Sequence, residues 1–162
     1  MSLDIIMRWL HFVAAFTWVG GLIFVNVVLT PVVQPKGIPP PFIRLMGMER
    51  FRWFAWGSIV IIIITGFYNI LVVKPIFEGL VSQSYRAILI TKLLAFLVMI
   101  IVTVATSMYL KAKITKAPPG PGGTPPEELK KLGPLLVIFS RLNLGLGLLV
   151  ILLAVLLGSG LY

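Results

Sequence analysis

The chain has 162 residues, of which 59% are hydrophobic and 12% charged, with a mean hydropathy of +1.05. A water-soluble globule of this size has too little interior for so many apolar side chains, so that class is excluded. Fourteen Lys and Arg against five Asp and Glu leave a net charge of +9, which membrane topology explains without a nucleic-acid partner, and the absence of cysteine removes thiolate ligands, disulfides and iron–sulfur clusters.

Four apolar runs follow one another, at about residues 3–31, 51–73, 85–110 and 135–161. Each is long enough to cross a hydrocarbon layer of about 30 Å at about 1.5 Å per residue. The expectation is an all-α integral membrane protein: one four-transmembrane-helix bundle over residues 1–162, multi-pass in the cell membrane, with the lipid bilayer as its first partner. The first run is too long for a cleavable signal peptide and carries Asp4 and Arg8. Ile, Leu and Val with proline-heavy loops also fit a thermophile.

The first run reads RWLHFVAAFTWVGGLIF and holds His11, the only histidine of the chain. An ionisable residue inside lipid needs a partner and marks a functional site by default. Met7 precedes His11 by four residues and so shares its helix face. Gly20 and Gly21 are small enough to admit a neighbouring helix. Pro31 and the following KGIPPP read as the end of this helix.

The connection to the second run is basic, with Lys36 and Arg44, and contains Met46 and Met48, a further pair of thioethers. Arg50, Arg52, Trp53 and Trp56 then form an interfacial anchor of cations and aromatic rings. The second run ends in Thr65, Gly66, Phe67, Tyr68 and Asn69, a polar stretch in an apolar helix.

The third run starts near Ser84 and carries Lys92 about seven residues in, roughly 10 Å deep. After it comes a cytoplasmic linker, 111–134, with Lys111, Lys113, Lys116, Lys130 and Lys131. Thr124, Pro125 and Glu127 read as cap, first helical position and capping-box acid of a short surface helix that Gly133 and Pro134 end. The fourth run follows with Arg141 and Asn143 near its start. Lys and Arg collect on cytoplasmic loops, so the two basic connections lie inside and both termini outside.

That topology sorts the polar residues into two depth bands. His11, Lys92, Thr65 and Asn69 share the outer half, and Tyr68 lies beside them. Asn26, Ser107, Arg141 and Asn143 share the inner half. A cation at the bilayer centre costs about 3 kcal/mol even on lenient scales. Lys92 either snorkels outward or joins a site with His11. Arg141 either snorkels to lipid phosphate or holds a carboxylate such as a haem propionate.

These pieces resemble the CopD-like (copper resistance protein D) membrane family and, more distantly, the HemJ-type protoporphyrinogen oxidases and b-type membrane cytochromes. The likeness lies in RWLHFVAAFTWVGGLIF, RFRWFAWGSIVIIIITGFYN, YRAILITKLLAFLVMI and RLNLGLGLLVILL, taken in that order. It implies a helical bundle with functional residues at His11 and Lys92, haem b on the HemJ side and copper uptake on the CopD side. The larger CopD proteins carry more helices and more histidines than this chain.

The leading expectation is a haem b-binding membrane protein with a redox or electron-transfer role, an oxidoreductase whose redox partner the sequence leaves open. His11 would ligate the haem iron, with Lys92, Thr65, Asn69, Tyr68 and Arg141 lining the pocket or holding propionates. A bis-imidazole haem would then need a homodimer, each protomer giving its own His11. The alternatives are copper held by His11 with Met7, a porphyrinogen oxidase, and a structural subunit in which His11 only bonds a neighbouring helix.

Overall fold

The computed structural model describes residues 2–33, 49–73, 82–116 and 127–159, with side chains over 2–32, 53–72, 82–109 and 134–159. All the described elements are helical. Helix α1 runs Leu3–Ile23, continues through a π-helical segment, Phe24–Leu29, and closes with Thr30–Val33. Helix α2 is Glu49–Tyr68 with a second π-helical segment, Asn69–Val73. Helix α3 is Gln83–Lys116 and α4 is Glu127–Ser159. Four stretches of these helices, Leu3–Val32, Trp53–Val72, Gln83–Tyr109 and Pro134–Ser159, are long and apolar enough to span a membrane.

Most buried positions recur every three or four residues. On α1 they include Ala14, Trp18, Leu22 and Val25, with Val19 beside them, and on α4 Leu136, Ser140, Asn143, Gly147, Leu153 and Leu157. That spacing gives each helix one narrow inward seam. The remaining faces carry Trp9, Phe12, Phe16, Phe54, Phe67 and many Leu, Ile and Val, all exposed. An exposed apolar belt is what lipid requires of a membrane bundle, since lipid tails replace the protein interior as its solvent.

α1 packs chiefly on α2, and α3 on α4, with α1 also meeting α4. Trp18 of α1 meets Phe96 of α3 edge to face, ring centroids 5.8 Å apart, a geometry that aromatic quadrupoles favour. Around it Ala14, Leu22, Ile59, Ile62 and Met99 form the central core. Tyr85, Leu89 and Leu157 close a smaller one at the end where α3 begins.

Several sequence expectations move. α1 continues two residues beyond Pro31, because the π-helical turn just before it rearranges the ladder that the missing proline N–H would break. α3 begins at Gln83, before Ser84, because the Ser82 hydroxyl accepts from the Tyr85 N–H at 3.1 Å and caps the helix. It also runs on to Lys116, since no helix breaker intervenes before Pro118. The expected break at Gly133 and Pro134 is absent: α4 is continuous from Glu127 with Pro134 inside it. Membrane helices tolerate such prolines where neighbouring groups satisfy the freed carbonyl.

Gly20, expected to admit a neighbour, faces open space. The close approach occurs at Gly147, where a β-carbon would stand 3.2 Å from Val19 and 3.3 Å from Met99. The anchor's Trp53 is exposed and Trp56 half-buried. Met46, Met48, Thr124 and Pro125, and the side chains of Arg50 and Arg52, lie outside the described residues.

Candidate functional site

His11 Nδ1 lies 2.8 Å from Thr65 Oγ1. The Thr65 hydroxyl donates its proton to the Ile61 carbonyl at 2.6 Å. Its oxygen can therefore only accept from the imidazole, so Nδ1 carries the ring proton. In the neutral ring Nε2 then keeps its lone pair, the form in which imidazole ligates metals. Room for the ring comes from Gly66: a β-carbon there would come within 3.4 Å of His11 Cε1.

One to two turns nearer the start of α1, the Tyr68 hydroxyl donates to Asp4 Oδ1 at 2.7 Å. α1 and α2 run antiparallel, so the 11–65 and 4–68 pairs place Asn69 opposite the first turn or so of α1, between Leu3 and Met7. Asn69 opens the second π-helical segment, and its Oδ1 is buried with no hydrogen-bond partner. Met7 is half-buried on the His11 face of α1. Lys92, half-buried on α3, lies within electrostatic reach of His11. Thus His11, Thr65, Tyr68, Asn69, Met7 and Lys92 belong to one end of the bundle, as their spacing anticipates.

Arg141 does not join them. It is exposed on α4 in the opposite half, where a snorkelling side chain would sit. The second polar band exists there, about 20 Å along α1 from His11. Asn26 Nδ2 donates to Ser140 Oγ at 3.0 Å and to the Leu22 carbonyl at 2.8 Å. Asn143 Nδ2 donates to Thr103 Oγ1 at 2.9 Å. Thr103, one turn before the anticipated Ser107, is the α3 member of this band.

Four participants escaped the sequence reading: Asp4, Gly66, Thr103 and Ser140. Asp4 was legible as an acid in the first helical turn, where it favours the helix dipole. Gly66 next to Thr65 carried no distinguishing pattern. Thr103 and Ser140 are small hydroxyl residues that normally bond back to their own helix.

Among the described residues no three His, Asp or Glu side chains converge as a metal site. On their common face of α1, His11 and Met7 offer one imidazole nitrogen and one thioether, a soft and uncharged donor set. That set suits copper(I) better than zinc, calcium or magnesium.

A family model described as copper resistance protein D matches residues 46–157, well over half of the chain. The match spans α2, α3 and most of α4, including Thr65, Tyr68, Asn69, Lys92 and Arg141, while Met7 and His11 precede it. No curated protein and no solved structure matched the chain.

Proposed function

The chain belongs to the copper resistance protein D family of membrane proteins, and from that premise we propose that it binds copper(I) inside the bilayer as the substrate-holding step of copper uptake. The observation that carries the reading is the tautomer of His11: Nδ1 donates a hydrogen bond to Thr65, and in the neutral ring Nε2 is left free to ligate, on a helix face shared with Met7. Copper(I) accepts low coordination by imidazole and thioether, the two soft donors that His11 and Met7 bring to one face of α1. Thr65 acts through His11 by fixing the ring and its protonation. Asp4, held by Tyr68, places a carboxylate at the end of α1 beyond Met7. Titration of the purified protein with copper(I) against a competing chelator tests the reading. One equivalent bound by the wild type, weakened in Met7→Leu and lost in His11→Ala, supports it. Stoichiometric binding unaffected by His11→Ala sinks it.

Haem b is the second reading, and one observation favours it: Lys92 brings a cation within electrostatic reach of His11. A cation repels copper but attracts a haem propionate. Here Nε2 would be an axial ligand and Lys92 would hold the carboxylate, with Tyr68 and Asn69 along the edge. Because the chain has one histidine, a bis-imidazole haem would be shared by the His11 residues of two protomers in a homodimer. A Soret band that disappears in His11→Ala would establish this reading and displace copper; protein purified from haem-replete cells without such a band ends it.

A further inference from the structure

The second polar band has an unfinished hydrogen-bond arrangement. Thr103 Oγ1 donates to the Met99 carbonyl at 2.8 Å, so toward Asn143 it can only accept. That fixes the Asn143 amide: Nδ2 faces Thr103 at 2.9 Å and Oδ1 faces the other way. Asn143 is only 5% exposed, and its Oδ1 is buried with no hydrogen-bond partner. A clamp between α3 and α4 needs only the Nδ2 bond, and an apolar side chain would fill the seam without stranding an oxygen.

Two further observations converge at this level. Ser140, 7% exposed and one turn from Asn143 on the same face of α4, takes the Asn26 amide from α1 at 3.0 Å. Asn26 itself sits in the π-helical segment Phe24–Leu29. That segment accommodates Pro31, and it also frees backbone at a depth where such departures are tolerated inside protein or beside a cavity; π turns recur at functional positions. Three helices therefore bring hydroxyl and amide groups to one depth, and among them is a buried amide oxygen that no hydrogen-bond donor reaches.

We propose that the Asn143, Thr103, Ser140 and Asn26 cluster is a binding site for a hard monovalent cation, sodium or potassium. An orphaned carbonyl-type oxygen attracts a cation and repels an anion. Neutral amide and hydroxyl oxygens suit alkali cations, whereas copper(I) prefers the sulfur and imidazole of the other end. Broken membrane helices hold sodium with backbone carbonyls, neutral oxygens of the same chemical kind as the Asn143 amide oxygen. The site is independent of what His11 binds.

The test measures the thermal unfolding midpoint of the detergent-purified full chain. Sodium, potassium and choline chlorides are exchanged at constant ionic strength. A ligand that binds only the folded state raises the midpoint with its concentration. The expected result is a rise with sodium or potassium over choline, lost in Asn143→Leu and retained in His11→Ala. Thr103→Val, which removes the oxygen that orients the amide, serves as the second variant should Asn143→Leu fail to fold, and it too should lose the response. Equal midpoints in all three salts, or a response retained in the variant, would overturn the proposal and leave the band as an interhelical clamp or an ordered-water site.

Discussion

Thr65→Val keeps the shape of the side chain and removes the oxygen that accepts from His11 Nδ1. Partners of this kind typically change metal affinity by about 10–100-fold, so copper(I) affinity should fall by that order in chelator competition while Thr65→Ser stays near wild type. Lys92→Met separates the two readings of the site because the cation has opposite signs of effect in them. With copper as substrate, removing the repulsion should tighten binding by about tenfold, the equivalent of ~1.4 kcal/mol. With haem, the same change should lower haem occupancy, read as Soret absorbance per protein. The unique histidine and its thioether neighbour were legible in the sequence. Which nitrogen is free was not, because the tautomer depends on a hydroxyl 54 residues away whose own proton is committed to Ile61.

At the scale of the helices, glycine spacing illustrates where a local reading stops. Gly20 and Gly147 look alike in the chain, but only Gly147 is pressed by Val19 and Met99. Gly147→Leu should therefore cost about 1–3 kcal/mol through overpacking. Gly20→Leu, pointing into open space, should stay within about 0.5 kcal/mol; thermal unfolding in detergent measures both. The same limit applies to proline. Pro31 and Pro134 are breakers by local rule, yet α1 absorbs the first next to a π-helical turn and α4 runs through the second. The buried seam of α4 begins at Leu136, within a turn after Pro134.

For the whole molecule, the charge distribution predicts the sidedness of the bundle. The connections after α1 and α3 are the basic ones, so they should face the cytoplasm with both termini outside. The chain has no cysteine, which gives a clean background for labelling. Ser2→Cys should react with a membrane-impermeant thiol reagent from outside intact cells, and Thr124→Cys only after permeabilisation; the reverse pattern would invert the topology. That sidedness also decides which bound species meets which compartment. His11 would be loaded from outside, and the Asn143 cluster would lie nearer the cytoplasm.

The sequence by itself determined the number of helices, their approximate limits, their membrane setting and the division of polar residues between two depths. Those features follow from hydropathy, charge and the rise per residue, which are local and additive along the chain. The tertiary structure decided the pairings: His11 with Thr65, Tyr68 with Asp4, Asn26 with Ser140 and Asn143 with Thr103. Among the described residues it also left buried amide oxygens on Asn69 and Asn143 without hydrogen-bond partners. Depth along a helix can be counted from the sequence. The direction in which a side chain faces a neighbour depends on how the helices turn against one another, and that rotation is set by contacts between residues far apart in the chain.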